Sequence, residues 1–318
     1  PFFAALRGVF DGPGSRIVIP GFYAGDNTWV VRFSPTALGD WTYTLSSPHI
    51  RLAQTAGAVH CVPNNNPNVH GGLLVDPQNP HHFRYQDGAP YFMFAYEADW
   101  LWALGIGDPE VRKVRELLTQ IKDFGFNQII MQAYAHNAEW CKHKDGSKTN
   151  DYGPPALYAW EGTNDEPDHE RMNLDYFANL DRVMQAMLDE GFTVHLFLKV
   201  YNKFVNWPAP YSPADDLYFT YITARYQAFP NVIWDYSKET YYELDKNYVA
   251  SRLLLVKAND GYRRLMTVHD DRLFYGATQN AGLLDFATLQ QHNEFYASAL
   301  LERAARPWPI FNSEFGYE

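Results

Sequence analysis

From residue 91 onward, short apolar runs alternate with stretches of helical spacing, and this alternation restricts the fold more than any other feature of the chain. Residues 91–96 read as a strand. Over 109–124 apolar residues recur at helical spacing (Val111, Val114, Leu117, Leu118, Ile121), and Gly125 follows as a stop. Residues 128–133 form the next strand. Residues 174–188 are helical, with Leu174, Phe177, Leu180, Val183, Met184 and Met187 on one face, before Gly191. Residues 193–200, 232–236, 264–268, 284–289 and 310–311 supply strands three to seven. Strands at this spacing, with helices between, imply parallel βα units. Seven in order predict an α/β fold of the (β/α)8 TIM-barrel kind rather than an open sheet. The sequence stops at Glu318, a few residues past strand seven. An open barrel has two bare edges, which folded proteins avoid. The expectation is a barrel truncated after strand seven and a natural polypeptide that continues, or another segment that closes the sheet.

The first 62 residues have a different rhythm. Runs rich in β-branched and aromatic residues at 16–23, 28–33 and 40–45 are separated by Gly12-Pro13-Gly14, Gly25-Asp26-Asn27 and Leu38-Gly39-Asp40. A spacing of about ten residues is that of a β-sandwich. Asn64-Asn65-Asn66-Pro67-Asn68 has nothing apolar to bury and reads as a linker. The predicted organisation is an accessory β-sandwich at 1–63, a linker and approach at 64–80, and the barrel at 81–318. The opening Pro1-Phe2-Phe3 already lies within a strand-like pattern, so the natural chain is expected to begin upstream.

At 318 residues the chain fits two domains, and its 46% hydrophobic and 20% charged residues are those of a globular protein. The net charge of −11 argues against nucleic acid and anionic membrane surfaces as partners. No run of about 18 apolar residues offers a membrane span. Cys61 and Cys141 fall in different predicted domains without metal-type spacing and read as free thiols. The 22 Tyr, 21 Phe and 9 Trp serve mainly as core, and part of that excess suits stacking on sugar faces.

In a barrel of this kind the strand C-termini converge on one mouth. Here they bring Glu97 and Asp99, Tyr134 and His136, Lys199 and Tyr201, Lys238 and Glu239, His269 and Asp270, Gln290 to His292, and Glu314. Asp99, Asp270 and Ser313 also read as helix N-caps. Glutamate caps poorly, so Glu239 and Glu314 stand out as catalytic acids; their competing reading is a surface or ion-paired carboxylate. Two facing carboxyl groups are the minimal equipment for cutting a glycosidic bond, and a separation of about 5–5.5 Å gives a retaining reaction. The sequence-level assignment is Glu239 as acid/base and Glu314 as nucleophile, acting on a carbohydrate substrate with no cofactor and no metal. Glu97, Tyr134, Lys199 and His269 are expected to shape the subsite of the cleaved sugar. Trp100, Trp102, Trp140 and Trp207 are sugar platforms or loop packing. The acidic stretch 161–170 reads as a solvated excursion.

Several stretches resemble a known family. Val18-Ile19-Pro20-Gly21-Phe22-Tyr23-Ala24-Gly25, Arg32-Phe33-Ser34-Pro35 and Gly39-Asp40-Trp41-Thr42-Tyr43 resemble the small β-sandwich that precedes the barrel in certain bacterial glycoside hydrolases. His81-His82-Phe83-Arg84-Tyr85-Gln86-Asp87-Gly88, Tyr96-Glu97-Ala98-Asp99-Trp100, Gly125-Phe126-Asn127-Gln128 and Asn312-Ser313-Glu314-Phe315-Gly316-Tyr317-Glu318 resemble their apiosidase-like catalytic barrel. The resemblance implies a barrel of the cellulase-like superfamily, with an acid/base after strand four and a nucleophile after strand seven. That superfamily places Asn before its acid/base Glu; here Lys238 precedes Glu239. Lys238 offers a donor to a sugar hydroxyl or a charge for an acidic sugar. Apiosidase relatives use an Asp in this region, which makes Asp235 a competing acid/base. Two further readings stand beside the hydrolase: a metal-dependent sugar isomerase or epimerase using Glu97, His136, His195, His269 and Glu314, and a non-catalytic carbohydrate-binding protein.

Overall fold

Strands covered on both faces are buried along their whole length, and 193–200 and 232–238 each bury every residue. The computed structural model describes residues 1–49, 55–136, 155–270, 282–293 and 295–314. Trp140 and Cys141 lie outside the described residues; Cys61 is a free thiol.

The N-terminal region is antiparallel. Strands β1 (Arg7–Gly12), β2 (Ser15–Pro20), β5 (Gly39–Ser46) and β6 (Thr55–Cys61) form a sheet in the order β2-β1-β5-β6, and β3 (Phe22–Gly25) pairs with β4 (Thr28–Val30). Phe10, Ile17, Ile19 and Trp41 make its core, with Phe33 stacked on Phe10 at 3.9 Å between ring centroids. The Trp41 indole donates to Ala37 O at 3.0 Å, so its one polar atom is satisfied in the core.

This unit is held to the rest by Phe22, buried in the barrel's core, and by polar contacts. Arg32 Nη2 lies 2.7 Å from Asp181 Oδ2, and Arg225 Nε lies 2.9 Å from Asp181 Oδ1. Tyr221 donates from its hydroxyl to Tyr23 O at 2.9 Å, and Ser34 N donates to the Tyr262 hydroxyl at 2.8 Å.

Next come three short antiparallel strands, β7 (Leu73–Val75), β8 (Phe83–Tyr85) and β9 (Pro90–Tyr91). Leu73 falls within the expected linker, and Tyr91 was expected to open barrel strand one. Both instead pack with Phe83 against Ile233, Leu265 and Phe286, at the N-terminal ends of the barrel strands. The three-stranded sheet is a floor.

Seven parallel strands follow. They are β10 (Ala95–Glu97), β11 (Gln128–Gln132), β14 (Thr193–Val200), β15 (Val232–Lys238), the split pair β16 (Met266–Thr267) and β17 (His269–Asp270), β18 (Ala287–Gln290) and β19 (Ile310–Glu314), each paired with its sequence neighbour. Between β11 and β14 the expected acidic loop is an antiparallel hairpin, β12 (Trp160–Gly162) with β13 (Pro167–Met172). The helices are α1 (Arg112–Asp123), α2 (Leu174–Asp189), α3 (Pro213–Tyr226), α4 (Lys246–Asn259) and α5 (Phe295–Ala305). Asn173, Ser212 and Asp245 cap α2, α3 and α4 with side-chain oxygens.

The sheet curls. Six steps of about 4.8 Å would set β10 and β19 about 29 Å apart if the strands lay flat. Instead Lys238, at the end of the middle strand, contacts Glu97 on β10 and Glu314 on β19. The C-terminal tips therefore surround one space.

Candidate active site

That space is a cavity of about 700 Å³, lined on its polar side by Glu97, Asp99, Asn202, Lys238, Glu239, Gln290 and Glu314. Tyr96, Trp100, Leu101, Leu104 and Leu117 form its apolar side. Each acid is placed by a strand end. Glu97 closes β10 and Glu314 closes β19. Glu239 follows β15 in left-handed backbone (φ 57°, ψ 50°), a conformation that costs a residue with a Cβ about 1 kcal/mol or more and that sets its side chain apart from the strand's alternation.

Lys238 organises the charges. Its ammonium is ion-paired with Glu97, and lies 3.4 Å from Glu314 Oε2 and 3.6 Å from Asp99 Oδ1. Asp99 Oδ2 is in turn 3.2 Å from Lys203 Nζ, which sits over the Trp100 ring at 5.2 Å. Burial favours the neutral form of Asp99, but Lys238 and Lys203 outweigh it and hold the carboxyl at about 2. Glu97 goes the other way: burial, and then the Asp99 charge, push it well above the usual glutamate range. Burial opposes the charge on Lys238 too, and Asp99, Glu97 and Glu314 together raise it. Burial also raises Glu239; Lys238 opposes this and the Glu314 charge adds to it. Asn202 lines the cavity with Glu239.

Behind the cavity a polar thread crosses the barrel interior. The Tyr91 hydroxyl donates to Gln128 Oε1 at 3.0 Å, Gln128 Nε2 is 3.4 Å from His195 Nδ1, and His195 Nε2 is 2.7 Å from Asp235 Oδ2. Asp235 Oδ1 accepts from the backbone N–H of His269 at 3.0 Å and of Ser237 at 3.1 Å. His269 stacks on Phe197, with Nε2 3.7 Å from Glu314 Oε2. Burial, and then the Lys238 charge, push His269 far below its usual range, so the ring is neutral.

Of the residues expected from sequence, Glu97, Trp100, Lys238, Glu239 and Glu314 line the cavity together. His269 stands behind Glu314. Asp235 is wholly buried, with both oxygens engaged in the thread, and does not line the cavity. Two expectations are corrected. Tyr134 is buried among Trp102, Trp160, Tyr176 and Trp207, and its body belongs to the core around α2. Lys199 Nζ is enclosed by the rings of Tyr201, Trp207 and Tyr248, 3.4 Å from the Tyr248 hydroxyl, so it too faces away from the cavity. Trp102 and Trp207 share that aromatic core. Asp99 is ion-paired rather than a cap, and its place two residues beyond Glu97 on the same strand tip is the signal that was there to read.

The cation around which these acids gather is the protein's own Lys238. Among the described residues no group of three or more His, Cys, Asp and Glu side chains is arranged to hold a metal ion. Nor, among them, is any helix long and apolar enough to cross a membrane.

Residues 77–318 match the family model described as "Apiosidase-like, catalytic domain", and residues 1–48 match a domain of unknown function (DUF5060). No curated protein matches. Among solved structures, a Bacteroides vulgatus protein described as a candidate glycoside hydrolase superposes with a TM-score of 0.79 at 24% identity, over 100% of this chain and 62% of its own. A family 5 glycoside hydrolase of the same organism gives 0.55 at 16% identity, covering 78% and 54%. A family 5 mannosidase of Rhizomucor miehei gives 0.58 at 14% identity, covering 78% and 73%. These likenesses establish a shared α/β fold, and the chain spans less than two thirds of the first two structures.

Proposed function

The chain belongs to the apiosidase-like catalytic-domain family, and from that premise we propose that it is a glycoside hydrolase cleaving O-glycosidic bonds of an oligo- or polysaccharide with retention of configuration. The observation that carries this reading is Glu239 and Glu314 on one cavity in unequal surroundings. Burial favours the protonated form of Glu239, while Lys238 stands beside Glu314. In the first step Glu314 attacks the anomeric carbon, the bond from that carbon to the leaving oxygen breaks, and the Glu239 proton passes to the leaving oxygen. In the second step Glu239 takes a proton from water, the water oxygen bonds to the anomeric carbon, and Glu314 is freed.

Burial of Asp235 and its full set of hydrogen bonds favour Glu239 over it as acid/base. Residues 1–63 serve in this reading as an accessory β-sandwich beside a (β/α)8-type barrel. A glycan-library screen of the wild type beside Glu314→Gln and Glu239→Gln tests the assignment, with the first anomer formed read by NMR. Loss of turnover in both variants and a retained anomer are expected. Full activity in both would remove the assignment, and an inverted product would remove the double displacement.

A further inference from the structure

Among the described residues, the ion pairs of the Glu314 carboxylate fall on one oxygen. Oε2 lies 3.4 Å from Lys238 Nζ and 3.7 Å from His269 Nε2. The second distance exceeds a hydrogen bond, and burial holds the imidazole neutral, so His269 supplies neither a hydrogen bond nor a charge to Oε2. Oε2 is fully buried and, among the described residues, accepts no hydrogen bond, so what holds it there is charge. Among the described residues, Lys238 is the full positive charge set against it.

The Lys238 side chain has little freedom to be elsewhere. It is buried, fixed at the end of β15, and shared with Glu97 and Asp99. It donates a hydrogen bond to Glu97, while Asp99 and Glu314 face it as ion pairs at 3.6 and 3.4 Å. The sharing matters for turnover. When Glu314 becomes an ester its negative charge disappears, and Lys238 would be left as an uncompensated buried cation if Glu314 were its sole partner. Asp99, whose carboxyl is held ionised, stays beside it throughout.

Resting on the reading of Glu314 as the nucleophile, we propose that Lys238 is the positioning residue for that nucleophile: it anchors Oε2 against the barrel interior and leaves Oε1 to meet the anomeric carbon. The residue ahead of the acid/base thereby serves the opposite carboxylate. Its charge is turned inward to the protein's own acids, not outward to an acidic sugar.

The experiment uses the whole chain and the sugar that the wild type cleaves in a panel of dinitrophenyl and nitrophenyl glycosides. Lys238→Met is expected to lower kcat by about a hundredfold or more, as a misplaced reacting group does. KM should stay within about threefold, because the loss falls on the chemical step. The deficit should be equal for both leaving groups, since each needs the nucleophile, whereas an acid/base defect fades on the dinitrophenyl substrate. Lys238→Arg, which keeps the cation, should recover at least about tenfold over Lys238→Met. Should Lys238→Met not fold by its melting transition, the double variant with Asp99→Asn removes one charge of each sign and takes its place. A Lys238→Met rate within about threefold of wild type, a deficit confined to the nitrophenyl substrate, or no gain from Arg overturns the proposal. Wild-type rates in Glu314→Gln remove the parent reading; an inactive Glu314→Gln beside a fully active Lys238→Met removes this inference alone.

Discussion

His195 Nε2 and Asp235 Oδ2 meet at 2.7 Å with neither side chain reaching solvent. Asp235 also accepts two backbone N–H bonds, one of them from His269 behind the cavity. Asp235→Ala strands all three donors and should cost about 3 kcal/mol or more, since each buried donor left unpaired costs about 1–3 kcal/mol. Urea denaturation measures it; unchanged stability would contradict a structural role for Asp235.

Burial raises Glu239 above its usual 4.5, so the protonated form that the first step needs persists to higher pH. On the alkaline side kcat/KM should fall as that proton is lost, with an apparent pKa above 4.5. Glu239→Gln should abolish this limb and slow substrates with poor leaving groups by about 10²–10⁴-fold. A pH–rate profile whose alkaline limb survives the substitution would assign the limb to another group.

Asp99 is held at about 2 against a usual 3.8, so its ion pairs stabilise the fold above pH 3.8 and that contribution disappears as pH falls through about 2. The difference corresponds to roughly 2 kcal/mol. Denaturant midpoints measured from pH 5 downward should decline less steeply in Asp99→Asn than in the wild type, and parallel declines would count against the pairing.

Lys199 is walled off by Tyr201, Trp207 and Tyr248. Lys199→Met is therefore expected to keep kcat/KM within about fivefold of wild type, as substitutions away from the reacting groups do. A loss as deep as that of Lys238→Met would place Lys199 back among the substrate contacts.

Asp181 ties Arg32 of the N-terminal region to Arg225 of α3. Asp181→Ala leaves two guanidinium groups without their carboxylate and should cost about 2–4 kcal/mol. Faster proteolytic release of the N-terminal region is the accompanying sign, and identical digestion patterns would show that the tie is dispensable.

The barrel strands are legible in sequence because parallel strands buried on both faces need uninterrupted apolar runs, as in Ile129, Ile130 and Met131 of β11. Others escape for physical reasons. Arg7–Gly12 carries two glycines and an aspartate, poor strand formers that tertiary pairing overrides. Thr55–Cys61 is an edge strand of mostly exposed small residues, with little apolar signal to show. Position at a strand tip brought five of the expected site residues to the cavity, but it fixes height and not direction. For Lys199, in a strand with every residue buried, alternation carries no directional signal, so its turn toward α4 was hidden. The left-handed backbone of Glu239 was equally hidden, since no glycine or asparagine marks it.

The floor of Leu73, Phe83 and Tyr91 has a mechanical corollary. With the base plugged by apolar side chains, traffic is confined to the opposite end, and whatever is admitted must back out the way it came. A long polymer could not be drawn through this molecule like thread through a bead. It would have to drape over the rim and dip a single link inside.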